Sequence, residues 1–434
     1  MIMNREILRL AVPSIITNIT VPLLGMVDVA IVGHIGNASY LAAIALGTMV
    51  FNLIYWGFGF LRAGTSGLTA QAYGAEDKTE YLNVLVRGLV IAFSVAALMI
   101  LLQRPIALCC EKWIHSSSET IAMTLTYFYI RIWAAPATLG LYVLKGWFIG
   151  MQNAKTPMWI AILLNIVNIV CSLIFVFGFH AGIAGVAWGT VIAQYSGLAM
   201  ALLMWFVHYG KLRHEINFKE SLKAHEMVRF FKVNADIFLR SLCLIAVFTF
   251  IPYISAEMGD EILAANTLLM QLFTLASYIL DGFAYAGESL VGKFVGAKDV
   301  QSLRLSVRKL INWGIGLSAL FTIVYALCGR WILGILTNDA HVIETAMQYM
   351  LWTVMVPFAG FAAFIYDGIY IGATASRAMR NVMFVATGAF FVFYLLLSKP
   401  FGNDGLWIAF LIFLVLRGGL MAAAQKRSIF QVND

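Results

Sequence analysis

Two stretches of equal length decide how this chain folds: LAAIALGTMVFNLIYWGFGFLRAGTSGLTAQAYGAED, residues 41–77, and LAANTLLMQLFTLASYILDGFAYAGESLVGKFVGAKD, residues 263–299. Laid over one another at an offset of 222, they place Leu41-Ala42-Ala43 on Leu263-Ala264-Ala265, Phe51 on Phe273, Leu53 on Leu275 and Leu68 on Leu290. Gly74-Ala75-Glu76-Asp77 then falls on Gly296-Ala297-Lys298-Asp299 without a gap. The same offset pairs Tyr127 with Tyr349, Gly146 with Gly368 and Ile149-Gly150 with Ile371-Gly372. A register kept over so long a stretch marks an internal duplication. Each copy reads as an apolar run long enough to cross a bilayer, followed by a short polar link.

The rest of the chain has the same character. Of 434 residues, 61% are hydrophobic and 12% charged, and the mean hydropathy is +0.85. Soluble domains carry about 25% charged residues, so the excess apolar surface must face lipid. This excludes a soluble enzyme, a nucleic-acid binder and a disulfide-built secreted domain, because the net charge of +7 is spread thinly through short links. The five cysteines form no CxxC pair and read as small buried hydrophobes. The first apolar run, Leu8 to Val32, is too long for a signal-peptide core and should remain as a membrane helix.

Runs of spanning length lie near residues 8–33, 40–72, 84–103, 121–149, 157–179 and 182–207, then near 230–256, 261–292, 308–329, 342–371, 379–398 and 404–424. The expected architecture is an all-α membrane protein: twelve transmembrane helices in two pseudo-symmetric six-helix bundles around a central cavity. Its parts are an N-lobe over 1–208, a cytoplasmic linker over 209–229 and a C-lobe over 230–434. Six crossings per half is an even number, so the repeats are parallel, which is a transporter plan. With the amino terminus taken as cytoplasmic, nineteen of the 29 Lys and Arg residues fall on that side and four (Arg104, Lys112, Arg330, Lys399) on the other. The positive-inside rule then puts both termini in the cytoplasm.

Ionisable side chains inside such runs are costly in lipid and are functional candidates where they face a cavity or one another. The first half offers Asp28, Arg62, Arg131 and Lys145; the second offers Asp236, Arg240, Asp281, Glu288 and Asp367. Asp28 follows Pro22, which removes a helix hydrogen bond and supplies a hinge, so that proton uptake at Asp28 can be coupled to shape. Capping or reaching the interface is the alternative for an aspartate near a helix end. Asp236 and Arg240 lie one turn apart and are expected to pair along their own helix. Asp281 and Glu288 share a face, and Asp367 opens the segment that aligns with Lys145-Gly146. With Arg240 holding Asp281 or Asp367, these acids form either a charge cluster lining the cavity or a structural network. Arg62, Arg131 and Lys145 supply counter-charge in the first half, Lys145 having the alternative of snorkelling to the interface. Asn165, Asn168 and Ser172 on the fifth run, with Thr190 and Gln194 on the sixth, suit hydrogen bonds between helices. No nucleotide-binding loop, HExxH or metal-spaced His/Cys cluster occurs, so no cofactor or resident metal is expected, and transport would be driven by H⁺ or Na⁺.

These features resemble the multidrug and toxic compound extrusion (MATE) family, in particular its DinF-like branch. The resemblance is carried by AVPSIITNI (11–19) and VDVAIVGHIG (27–36), LTAQAYGA (68–75), LNIVNIV (164–170), IFVFG (174–178) and GIAGVAWGTVIAQ (182–194). In the second half the carriers are residues 263–297 and DGIYIGAT (367–374) with MRN (379–381). The resemblance covers essentially the whole chain and implies an antiporter that expels amphipathic, often cationic, organic compounds. It puts Asp28 at the family's first-span acid, Asn168 at the asparagine of its fifth-span Asn-x-x-x-Asp motif and Thr190 at its sixth-span threonine. Ser172 stands where the motif has aspartate. A Na⁺ site wants several oxygens and compensating charge, so this departure favours H⁺ at Asp28, with coupling at Asp281 and Asp367 as the alternative. The expectation is an inner-membrane exporter, not an enzyme, monomeric and lipid-bound, with no nucleic-acid partner. The competing reading is a flippase for lipid-linked precursors of the same two-lobed superfamily. That reading needs a strongly cationic cavity, whereas the nine ionisable groups above comprise five acids and four bases.

Overall fold

The computed structural model describes residues 2–33, 38–113, 117–216 and 218–430; His34, Ile35 and Gly36 of the first-span motif and the two chain ends lie outside them. The described residues are 93% helical, with no strand among them. The helices are α1 (Ile2–Gly33), α2 (Ala38–Gly57), α3 (Phe60–Gly74), α4 (Lys78–Leu101), α5 (Gln103–Trp113), α6 (Ser118–Arg131), α7 (Ala135–Gly150), α8 (Lys155–Leu173) and α9 (Gly182–Tyr209). They continue as α10 (Phe218–Ser221), α11 (Ala224–Glu257), α12 (Asp260–Gly296), α13 (Val300–Leu336), α14 (Ala340–Gln348), α15 (Met350–Gly372), α16 (Ser376–Phe401) and α17 (Asn403–Gln425). Twelve spans are long and apolar enough to cross a bilayer; α2 with α3 makes the second and α6 with α7 the fourth. The tenth span begins at Met350 rather than near 342, because α14 is a separate short helix capped by Asp339, which accepts from the amides of His341 and Val342. Leu327 and Leu101 are 80% and 78% exposed, apolar surface of the kind a spanning helix turns to lipid.

The links show why the duplication is legible. After α3, Glu76 adopts φ +56°, the Asp77 amide donates to Ala72 O at 3.0 Å, and Asp77 Oδ1 then caps α4 by accepting from Glu80 N at 2.9 Å. After α12, Lys298 adopts φ +56°, the Asp299 amide donates to Phe294 O at 3.0 Å, and Asp299 Oδ1 accepts from Ser302 N at 3.0 Å. The left-handed residue ends one helix and the aspartate starts the next. Bonds from the Ser302 hydroxyl and amide hold the Asp299 carboxyl below its usual value. Gln152 and Thr374, again 222 apart, close α7 and α15 in the same left-handed way.

Helix packing repeats as well. The α3–α7 and α8–α9 contacts of the first half correspond to α12–α15 and α16–α17 in the second. At Gly146 a side chain would strike the carbonyl oxygen of Arg62, and at Gly368 that of Ala284. One turn on, a side chain at Gly150 would sit 2.8 Å from Ser66 O, and one at Gly372 2.6 Å from Glu288 O. Lipid supplies no hydrophobic drive between helices, so close backbone approach at small residues is what holds the crossing.

By contact the chain forms two units. The first, Ile16–Phe231, is built on one aromatic-rich cluster: buried Trp147 donates from Nε1 to Tyr81 O at 2.8 Å and meets the Tyr209 ring edge-on at 4.9 Å. In lipid a buried indole N–H needs such a partner. The second unit is Lys232 onward together with the chain before Ile16, and has its own cluster around Phe273, Phe390, Phe410 and Phe413. The first half of α1 therefore groups with the second unit, where Gly282 lies against Ala11 and Ile15. The connecting segment is itself folded: Arg87 Nε on α4 donates to Ser221 O at 2.7 Å and its Nη1 to Glu80 at 2.8 Å. Within that segment, α11 begins at Ala224.

Candidate functional site

In the first unit the candidate residues come from α1, α6, α8 and α9. Helix α1 runs unbroken past Pro13 and Pro22 and carries Asp28, which is 3% exposed. Its Oδ1 has no hydrogen-bond partner among the described residues, and the charge that acts on it is Arg131. Arg131 ends α6, donates to the Tyr127 hydroxyl and stacks over the Phe51 and Tyr127 rings at 5.1 and 5.5 Å. The sequence placed Arg131 among the counter-charges; the fold brings its charge near enough to act on Asp28, while its hydrogen bond goes to Tyr127.

Asn168 and Ser172 share the buried face of α8, and both are fully buried. Asn168 Nδ2 donates to Thr190 Oγ1 on α9 at 3.1 Å, while Thr190 Oγ1 donates to Val186 O at 3.1 Å. Asn168 Oδ1 and Ser172 Oγ have no partner among the described residues. Gly189, next to Thr190, leaves the room Ser172 Oγ occupies. A π-helical turn, Ile174–Gly178, follows directly, a distortion common where helices carry function. Asn168 and Thr190 are thus brought together as expected, and no described hydrogen bond joins them to Asp28.

The second unit contradicts one expectation. Asp236 does not pair with Arg240 along α11. Instead Asp236 accepts from Arg380 Nη1 at 2.6 Å and from Ser376 Oγ at 2.9 Å, both on α16. Arg240 reaches the other way, to Asp367 Oδ2 on α15, and Arg417 of α17 donates to the same oxygen at 2.6 Å. Neighbouring helices offer each long side chain a better-buried partner than its own helix surface does. Asp281 is partly buried and its charge reaches Arg417. Glu288 is 1% exposed, and its carbonyl oxygen lies under Gly372 at the glycine crossing. Arg417 and Arg380 were missed as site residues: Arg380 counted as a link residue, and Arg417 was a lone arginine inside the last apolar run, which was the available signal.

Twelve candidate spans, an internal duplication and buried charged groups on those helices are the plan of a membrane transporter. The MatE family profile matches residues 13–174 and 237–396. DNA damage-inducible protein F of Escherichia coli (strain K12) is 38% identical over 98% of this chain and 92% of its own. Multidrug resistance protein MdtK of Photorhabdus laumondii is 23% identical over 97% of this chain and 93% of its own. The Vibrio cholerae MATE transporter VcmN in its bent form shares the fold at a TM-score of 0.85 and 20% identity, covering 99% of this chain and 98% of that one. The chain belongs to the MATE family, in its DinF-like branch. It is an integral membrane transporter, not an enzyme.

Proposed function

We propose that this transporter is an H⁺-coupled antiporter exporting small amphipathic, often cationic, organic compounds by alternating access. In this reading it sits in the inner membrane with both termini cytoplasmic. The observation that carries the reading is the contrast between its two buried aspartates. Asp367 is matched by two guanidinium groups, which leaves no charge deficit for a coupling cation to fill. Asp28 has an open oxygen and a single basic group acting on it without a hydrogen bond. The Asn168–Ser172–Thr190 group adds neutral oxygens but no second carboxylate, which suits a proton better than a hard metal cation. Proton binding at Asp28 removes the charge that Arg131 attracts, and α1 is then free to shift, with Pro22 as its place to bend.

The test is efflux of a fluorescent organic cation from proteoliposomes under an imposed pH gradient, then under an imposed Na⁺ gradient. Export driven by the pH gradient and lost in Asp28→Asn is expected. Export that follows Na⁺, or survives that substitution, overturns the assignment.

A further inference from the structure

The triad of Arg240, Asp367 and Arg417 is built in an unusual way for a structural salt bridge. Both guanidinium groups donate through Nη2 to one carboxylate oxygen, Oδ2. The other oxygen, Asp367 Oδ1, is buried without a hydrogen-bond partner, and so are the Nε atoms of Arg240 and Arg417. An arginine and a carboxylate that bond only to each other normally use two parallel N–H···O bonds. Here each arginine makes one hydrogen bond and keeps an unused Nε donor, the donor such a pair would ordinarily use. A buried donor left without an acceptor forfeits its hydration and gains nothing in return, so the cluster is incomplete as it stands.

The charge points the same way. Two arginines meet at Asp367, and Asp281, whose charge also reaches Arg417, has contacts of its own. The Arg417 guanidinium is flanked by aromatic rings, 5.8 Å from the Phe364 ring centre and 5.5 Å from that of Phe413. Access is graded: the Arg240 side chain is 14% exposed, Asp367 9% and Arg417 2%. A ligand would therefore arrive on the Arg240 side, with aromatic rings behind the charge.

We infer that this triad is a binding site for an oxyanion, namely the carboxylate of an amphipathic organic substrate. The carboxylate accepts from the unused donors of the two arginines, and the apolar part of the substrate lies against the half-buried Phe364 ring. This rests on the exporter reading above and adds to its cargo amphiphiles that carry a carboxylate, zwitterions included. Asp367 then acts as an internal competitor that keeps the two arginines together when the site is empty.

The experiment is direct binding to the full-length purified protein, using a dansyl-labelled undecanoic acid and its methyl ester, with chloride and inorganic phosphate as competitors. The acid is expected to bind about tenfold or more tighter than the ester, the scale of a charge-assisted hydrogen bond. Arg240→Gln should remove that preference and Arg240→Lys, which keeps the charge but loses the planar fork, should remove part of it. The ester's affinity, unchanged in both variants, reports that they fold. Asp367→Asn is the discriminating variant: freeing the arginines should strengthen acid binding several-fold, whereas a purely structural triad predicts no gain. Equal binding of acid and ester, or an Arg240→Gln protein that still prefers the acid, overturns the proposal. Complete displacement of the acid by millimolar chloride or phosphate also overturns it, in favour of a small inorganic anion. Export failing in proteoliposomes while the acid still binds would count against the exporter reading alone.

Discussion

The first and second units share a backbone and differ in charge. At the equivalent crossings α7 passes α3 and α15 passes α12, with glycines at 146 and 150 matched by 368 and 372. Around that common geometry the first unit carries Arg62, Ser66 and Lys145 where the second carries Ala284, Glu288 and Asp367. Its most buried acid, Asp28, has an open oxygen, whereas Asp367 holds two arginines. The difference teaches that duplication preserves what sets close approach and chain reversal, because a carbonyl under a glycine tolerates no side chain. Charge, by contrast, is free to diverge wherever a neighbouring helix can answer it.

The largest expected effect tests the functional side of that contrast. Asp28→Asn should reduce gradient-driven export to the level of empty vesicles with membrane insertion intact, while Asp367→Asn should leave measurable gradient-driven export of an organic cation. If both abolish it, the two acids are not different in kind. Next come the crossings: Gly146→Ala and Gly368→Ala should each destabilise by about 1–3 kcal/mol through overpacking against backbone, read as matched drops in thermal unfolding temperature in detergent. A drop in one unit alone would break the structural equivalence. Asn168→Ala, which deletes the bond to Thr190, should cost about 1 kcal/mol and slow export only a few-fold. The least effect belongs to the caps. Asp77→Ala and Asp299→Ala should lower stability slightly and equally. Because the Asp299 carboxyl is held below its usual value, its contribution is present above the ordinary carboxylate range and is lost as pH falls through and below it. A cap effect that grows on acidification would contradict that sign.

Much of the fold was legible because membrane burial and duplication leave long, periodic marks. The spans, the offset of 222 and the matched links all reappear in the structure. Of the candidate residues' placement, the burial of Asp28 and the Asn168–Thr190 contact were readable, since a lone acid in an apolar run and polar groups on one helix face carry their own signal. The partners were not. Asp236 and Arg240 share a face of α11, and that spacing suggested a pair which the fold divides between α16 and α15.

Sequence alone established that the chain spans a membrane twelve times, that its halves are copies and which residues are costly enough in lipid to matter. Those properties depend on composition and local spacing, which every chain displays without folding. Only the tertiary structure decided that Arg131 answers Asp28, that Arg417 joins Arg240 on one oxygen of Asp367, and that the first half of α1 groups with the second unit. A long charged side chain reaches several helices at once, and which carboxylate it meets depends on how those helices pack, a relation between distant residues that no local pattern encodes.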